Sequence, residues 1–180
     1  LVSPASNHPI VKNLDRIFLQ FPSSIDTIRT KSNIKKTVLL TSSKYSRTQF
    51  TPTTINFEIL RYDADKSKFN KPFQPVAVLL EGTFTSSFEN RVSTEMQNSL
   101  ANIGLPYKSE SPDTKMIVVS DGDITRNLVG KDGLPKPLGL SRFENRVYSS
   151  NKDFLLNSIE YLLDNNGIID ARTREVKMRM

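Results

Sequence analysis

The sequence predicts one α/β domain over residues 1–180, with a mixed, mostly parallel sheet covered by helices. Two apolar runs, Val76–Leu80 and Met116–Ser120, have the length of buried strands, and each is followed by an acidic residue and a glycine. Asn151–Leu163 carries apolar residues at helical spacing and can pack on such strands. We expect the two strands to be central, parallel neighbours, with Glu81 and Asp121 at the same sheet edge.

Composition excludes several kinds of site. The chain of 180 residues has 37% hydrophobic and 24% charged residues, as a globular domain does. It has no cysteine, which removes disulfides, thiolate catalysis and Cys-ligated metals. His8 is its one histidine, so a His-rich metal site is excluded as well.

The net charge of +6 is scattered along the chain rather than gathered in one motif. Nucleic-acid binders concentrate basic charge on one face, so we do not expect a nucleic-acid partner. A scattered excess of basic residues is more typical of a solvated surface or of mild attraction to anionic lipid. No run approaches the roughly 20 apolar residues of a membrane-spanning helix.

The remaining strands are predicted from alternation and from short apolar runs. Leu14–Phe21 and Ser24–Arg29 alternate around Pro22 and predict a hairpin or one bent strand. Lys36–Thr41 predicts a central strand. Ile55–Arg61 is predicted as a strand or a short helix.

Two helices are predicted, over 86–103 and 150–165. In the first, Ser86 or Ser87 is the expected cap, and the apolar stripe consists of Phe88, Val92, Met96 and Leu100. In the second, Ser150 is the expected N-cap and Asp153 completes a capping pair, with Gly167 as the stop.

The segments between and after these elements are predicted as loops. Gly130–Arg142 contains three glycines and two prolines and predicts an exposed loop. The tail 168–180 alternates and predicts an extended segment that leads into a linker. Because the chain starts at Leu1 rather than at a methionine, we expect it to be a piece of a longer protein.

Phe-Glu-Asn-Arg-Val occurs twice, at Phe88–Val92 and at Phe143–Val147. A repeat of βα units would explain both copies. Coincidence is the interpretation we favour, because the intervening lengths differ.

The acidic turn Asp121–Thr125 is the main chemical candidate. Asp-Gly-Asp-Ile-Thr matches the Asp-x-Asp-x-Thr of aspartate-nucleophile, metal-dependent phosphatases. That motif normally opens its fold, whereas only about a third of this chain remains after it, and no Asp-Asp or Gly-Asp-x-x-x-Asp follows. The alternative, which we favour, is that these carboxylates accept backbone N–H bonds and cap the turn. The sequence around Ser120, Val118–Gly122, lacks the first glycine of the Gly-x-Ser-x-Gly nucleophile elbow.

Amide side chains near the turn suggest a structural role. Asn127, Asn151 and Asn157 can each donate and accept, and so can tie the Asp121 loop to the start of the last helix. If a ligand or partner site exists, we expect it at the strand-end edge, lined by Asp121, Asp123, Asn127 and Asn151.

Five stretches carry a resemblance to a known family. They are Val118–Asp123, Asn151–Leu163, Asn7–Asp15, Thr41–Arg47 and Ile169–Arg172. With them, the chain resembles the auxiliary domain of an uncharacterised ABC transport system, and within that family the gliding-motility-associated proteins of Bacteroidetes.

The resemblance implies a flavodoxin-like or amidotransferase-like layered sandwich. Amidotransferases use a cysteine nucleophile, which this chain lacks, so we expect no catalytic residue, no metal and no cofactor. It also implies an ABC permease and ATPase as partners and a place at the periplasmic face of the inner membrane, held by segments outside this chain. The expected function is an interaction or scaffold domain linked to gliding motility or surface-protein secretion; the alternatives are a ligand-binding domain and, less favoured, a phosphatase.

Overall fold

The computed structural model describes residues 1–29, 33–54, 61 and 65–164. Within these ranges the strands are β1 Ser3–Pro4, β2 Lys35–Thr41, β3 Pro75–Gly82, β4 Thr114–Val119, β5 Leu140–Ser141 and β6 Arg146–Val147. The helices are α1 Thr94–Asn102 and α2 Ser150–Leu163, and single 3-10 turns lie at Lys66–Lys68 and Gly122–Thr125. The predictions for 55–60, for Gly167 and for 168–180 lie outside the described residues.

The main sheet is antiparallel, and this overturns the predicted fold class. Its strand order is β1-β2-β3-β4, and every neighbouring pair is antiparallel. The prediction of a mixed, mostly parallel, flavodoxin-like or amidotransferase-like sandwich is therefore wrong. The predicted adjacency of β3 and β4 is confirmed, and so is the central place of β2.

The connection between β3 and β4 explains the error. Gly82 and Thr114 are partners in the register, so the chain leaves and re-enters the sheet at the same end. A parallel neighbour needs a crossover that carries the chain to the opposite end, usually as a helix packed on the sheet. Helix α1 lies in this connection, but none of its residues is buried, so it forms no such layer.

Antiparallel pairing separates the two acidic strand ends. Glu81 is the register partner of Lys115 at the start of β4, whereas Asp121 follows Val119, the partner of Ala77. Glu81 and Asp121 therefore lie at opposite ends of the sheet, and the prediction of a shared edge is wrong.

Strand β4 is an edge strand of the sheet rather than a fully buried one. Its residues alternate between partly buried and exposed, and Met116 and Val118 are on the exposed side. An antiparallel sheet can keep one face solvated, and this gives the period-two pattern.

The core lies where the sheet meets α2 and the N-terminal segment 10–19. Its buried members are Val2, Ile10, Val11, Ile17, Leu19, Leu39, Leu40, Val76, Ala77, Leu79, Ile124 and Phe154. Segment 14–21 was predicted as a strand, but Ile17 is the one residue of it that forms a β-bridge. Its main-chain N–H and C=O each bond to Val2 at 3.0 Å. Phe21 has φ 57° and is exposed, so the expected strand ends in a turn.

Both predicted helices exist, with different outcomes. Helix α2 begins at Ser150 as expected, whereas the helix predicted over 86–103 begins only at Thr94, where Ser93 Oγ accepts from Met96 N at 3.3 Å. Asn90 has φ 59°, a left-handed conformation that interrupts a helix. Helix α1 therefore does not cover the sheet as predicted.

The two copies of Phe-Glu-Asn-Arg-Val form similar turns. Asn90 has φ 59° and Asn145 has φ 48°, and Phe88 and Phe143 are exposed. Asparagine is one of the few residues that adopts this conformation at low cost. The similarity is therefore local and does not extend to a repeated βα unit, since only the second turn lies in a hairpin, β5–β6.

Candidate functional site

The acidic turn follows β4 directly, and Asp121 is its most buried polar residue, at 7% exposure. Asp121 Oδ1 accepts from Asp123 N at 2.9 Å and so caps the 3-10 turn. Asp121 Oδ2 accepts from Gln20 N at 2.6 Å. Both carboxylate oxygens therefore hold main-chain N–H groups, which is the arrangement by which a carboxylate fixes a turn.

The other acidic residue of the turn faces solvent. The Asp123 carboxylate is half exposed and forms an ion pair of 3.5 Å with Arg126. Asn127 points away from it, since its Nδ2 donates to Lys136 O at 2.7 Å. Asn127 thus ties the turn to the loop that follows.

The start of α2 binds the N-terminal segment through side chains. Asn151 Oδ1 accepts from Phe18 N at 2.9 Å, and Asn151 Nδ2 donates to Phe18 O at 2.7 Å. This pair of bonds imitates the pairing of one strand residue with another. Asn151 is 2% exposed, so its amide replaces water for both groups of Phe18.

Two further polar residues of α2 bond the same segment. Ser150 Oγ accepts from Asp15 N at 3.1 Å, and Asn157 Nδ2 donates to Ile10 O at 3.0 Å. The N-cap position belongs to Ser149, which makes no side-chain cap bond, so the predicted N-cap role of Ser150 and its capping pair with Asp153 are wrong. Asp153 lies exposed in the first turn. The hydroxyl of Ser150 is engaged with the N-terminal segment instead of with its own helix.

The turn and the helix start meet around residues 18–20. A small cleft of about 60 Å³ is lined there by Phe18, Asp121, Asp123, Arg126 and Asn151, among others. Of the four predicted site residues, it brings together Asp121, Asp123 and Asn151 but not Asn127. Metabolite pockets have volumes of roughly 300–1,000 Å³, so this cleft fits a few waters rather than a metabolite.

Neither Ser120 nor His8 lines the cleft. Ser120 Oγ donates to Val76 O at 3.1 Å. His8 packs edge-on against Tyr161, at 4.7 Å between ring centroids, and Tyr161 lies near the other end of α2. Over the ranges described above, no cluster of three or more His, Asp or Glu side chains is arranged to hold a metal ion.

A second polar cluster lies at the opposite end of α2, and sequence reasoning missed it. Tyr161 Oη donates to Glu81 Oε1 at 2.6 Å, and Lys35 Nζ lies 3.3 Å from Glu81 Oε2. Lys115 Nζ donates to Tyr161 O at 3.3 Å and to Asp164 O at 3.2 Å. Tyr161 is 80 residues from Glu81, so no local pattern predicts this contact.

The environment of Glu81 lowers its pKa. Partial burial raises the pKa of this carboxyl, but the Tyr161 hydroxyl and the Lys35 ammonium, which favour the ionised form, outweigh burial. The net direction is below the ordinary value of 4.5. Glu81 is therefore an ionised link between the sheet and the end of α2.

A second, larger cleft was also missed. It has about 460 Å³ and is lined by Ser3, Pro4, Ala5, Thr41, Ser42, Ser43, Lys44 and Phe73. Its polar walls are mainly hydroxyls, which are too common in sequences to have signalled a site.

The comparison with family models gave one match that covers most of the chain. The model described as an ABC-type uncharacterized transport system matches residues 1–158. The chain belongs to this family. Comparisons with curated proteins and with solved structures gave no match.

Membership in the ABC-type transport-system family confirms the coarser part of the resemblance. The family is that of an auxiliary component of an ABC transport system, so this member has a transport-associated role. The matched residues include the acidic turn and the first two turns of α2. No helix among the described residues combines the length and the apolar character needed to cross a bilayer.

Proposed function

We propose that this family member is a non-catalytic interaction domain of an ABC transport complex at the periplasmic face of the inner membrane. Its partners in this proposal are the permease and ATPase subunits, and its process is gliding motility or surface-protein secretion. Support comes from the family match over residues 1–158 and from the resemblance of the quoted motifs to gliding-motility-associated members.

One observation carries the non-catalytic part. Asp121 is the residue that a phosphatase-like mechanism would use as nucleophile, yet each of its oxygens accepts a main-chain N–H, from Gln20 or from Asp123. A nucleophile must reach the reacting atom, whereas the Asp121 side chain is held by these two bonds and its residue is only 7% exposed. The contacts of Asp121 therefore favour a bracing role.

The exposed loop between the acidic turn and the β5–β6 hairpin offers a protein-binding surface. Gly130 N donates to Leu134 O at 2.9 Å, and Lys136 N donates to Leu128 O at 2.7 Å, so the loop has a defined shape. Val129 and Leu134, which the Val129–Pro135 bridge brings to the same part of the loop, are both largely exposed. Clustered exposed apolar side chains are typical of protein-interaction sites.

The test is capture of the permease and ATPase by the full-length protein from detergent extracts. We expect Leu134→Asp combined with Val129→Asp to reduce capture at least about tenfold, the order of a hot-spot loss. The matched control is Leu105→Asp combined with Ile103→Asp, since these side chains are similarly exposed but lie after α1. Equal loss with both pairs, or full capture with the loop pair and an unchanged melting curve, would contradict the proposed surface.

A ligand-binding domain is the second candidate, and the larger cleft is what favours it. Its volume of about 460 Å³ lies within the range of small-molecule pockets. The cleft predicts a rise in melting temperature with at least one member of a metabolite and glycan panel, and loss of that rise in Ser43→Trp, which fills the cleft. A flat panel would count against this function.

A further inference from the structure

Two segments that are far apart in the sequence are joined into one surface next to the larger cleft. Lys71 N donates to Ser46 O at 2.9 Å, and Ser46 Oγ donates to Lys71 O. Phe73 N donates to Ser43 O at 3.2 Å. These bonds, with Arg47 beside the Phe69 ring, place the two segments next to each other, and we call residues 42–50 and 65–74 together the aromatic–basic surface.

Aromatic side chains project from this surface into solvent. Tyr45 and Phe73 are largely exposed, and Phe50, at 92%, is the most exposed large apolar side chain in the described part of the chain. Phe73 has φ 52°, a conformation that is costly for a bulky residue. The backbone bond to Ser43 holds this strained residue at the rim of the cleft.

Basic side chains lie on the same surface, and two of them contact aromatic rings. Residues 42–50 and 65–74 contain five basic residues and one acidic residue, so this surface carries +4 of the chain's net charge of +6. Lys44 Nζ lies 4.8 Å from the centroid of the Tyr45 ring, and the Arg47 guanidinium lies 5.8 Å from that of Phe69. Asp65 pairs with Lys68 at 3.8 Å, whereas Lys44, Arg47, Lys66 and Lys71 have no carboxylate partner among the described residues.

We propose that the aromatic–basic surface is a peripheral membrane-binding site that takes a bilayer containing anionic lipid. Cations near the headgroups and aromatic rings at the interface are the two contributions that hold a protein on such a bilayer. Phe50 is 92% exposed, and the cations beside the Tyr45 and Phe69 rings complement the negative charge of anionic lipid, which favours a bilayer as the occupant. The cleft between Lys44 and Phe73 is a recess next to the headgroup level.

This site is separate from the loop proposed to bind the transporter subunits. Lipid binding is measured on the purified chain without those subunits, and subunit capture is measured in detergent without a bilayer. Failure of one proposal therefore leaves the other standing.

The experiment is vesicle flotation with an equal mixture of phosphatidylglycerol and phosphatidylcholine, and with phosphatidylcholine alone. We expect the unmodified chain to float with the mixture and not with phosphatidylcholine. The triple change Lys44→Glu, Arg47→Glu and Lys71→Glu should weaken partitioning at least about 100-fold, since loss of each cation contributes on the order of a fivefold factor and each new carboxylate adds repulsion.

The matched charge control is Arg91→Glu, Lys108→Glu and Lys152→Glu, which alters the net charge equally at exposed positions elsewhere. A loss as large as that of the first triple would overturn the proposal, because it would show adsorption by net charge alone. Binding of the unmodified chain to polyglutamate but to neither vesicle would also overturn it, in favour of an acidic protein partner.

The aromatic contribution is tested with Tyr45→Ser and Phe50→Ser, against Phe88→Ser and Phe143→Ser as largely exposed aromatic controls outside this surface. We expect the first pair to weaken flotation at least about tenfold and the second pair to have little effect. Equal effects would contradict insertion of these rings at the interface. Circular dichroism melting of every variant verifies that it folds.

Discussion

Helices α1 and α2 share an apolar spacing in the sequence but have different places in the fold. Helix α2 buries Phe154 completely and carries four buried polar residues that face the N-terminal segment and the core. None of the nine residues of α1 is buried, and Met96 is 58% exposed. Periodicity therefore predicts helical structure, whereas burial depends on what the rest of the chain places against the helix.

The polar residues account for much of this difference. Helix α2 carries Asn151 and Asn157 on its buried side, where their amides satisfy main-chain groups of residues 10–18. The N-terminal segment has few strand partners of its own, so it needs these side chains. Helix α1 has no comparable contact with another segment in the described ranges, and it remains a local element.

The largest expected effect is on the free energy of unfolding, and it compares an apolar residue of α2 with one of α1. Phe154→Ala should destabilise the domain by about 3–5 kcal/mol, because it leaves a cavity in the core. Met96→Ala in α1 should change stability by less than about 0.5 kcal/mol, as for an exposed site. Urea unfolding of both variants measures the difference, and similar losses would show that α1 packs as α2 does.

The next effect contrasts two asparagines. Asn151→Ala should cost about 2–4 kcal/mol, because it leaves both the N–H and the C=O of Phe18 without a partner. Asn98→Ala, at an exposed position of α1, should stay within about 0.5 kcal/mol of the unmodified chain. If the two substitutions cost the same, the bracing role of Asn151 is wrong.

The smallest effect concerns the far end of α2 and depends on pH. Because the pKa of Glu81 is lowered in the folded state, its contribution to stability is present above the ordinary value of 4.5 and is lost as the pH falls through the lowered pKa. Glu81→Gln should therefore reduce stability at neutral pH by no more than about 1 kcal/mol, because the Lys35 side of the pair is exposed to solvent.

The pH profile of unfolding measures this contribution. The difference between Glu81→Gln and the unmodified chain should shrink as the pH falls below 4.5. The stability difference between Tyr161→Phe and the unmodified chain should also shrink as the pH falls, because this change removes the hydroxyl that favours the ionised carboxylate. A difference that grows on acidification would contradict the lowered pKa.

Local features of the fold could be predicted from the sequence. Strands β2, β3 and β4 were predicted within a few residues because short apolar runs bounded by polar residues determine them. The start of α2 was predicted because serines precede an apolar periodic segment. Asp121 was expected to cap the turn because that contact spans two residues.

Features that depend on distant contacts could not be predicted. The direction of β4 depends on the return path of residues 83–113. The predicted helix over 86–103 does not form at its N-terminal end, because Asn90 adopts a left-handed conformation. Asp121 meets Gln20 across 101 residues, and Glu81 meets Tyr161 across 80. Such pairings leave no periodic trace in the sequence.

The central claim is that the acidic turn and the start of α2 brace the fold by holding residues 18–20. Amide hydrogen exchange at Phe18 and Gln20 tests this claim most directly, because Asn151 and Asp121 accept from these two N–H groups. We predict that both amides are protected in the unmodified chain, that Asn151→Ala mainly exposes Phe18, and that Asp121→Ala mainly exposes Gln20. Fast exchange of both amides in the unmodified chain would contradict the account.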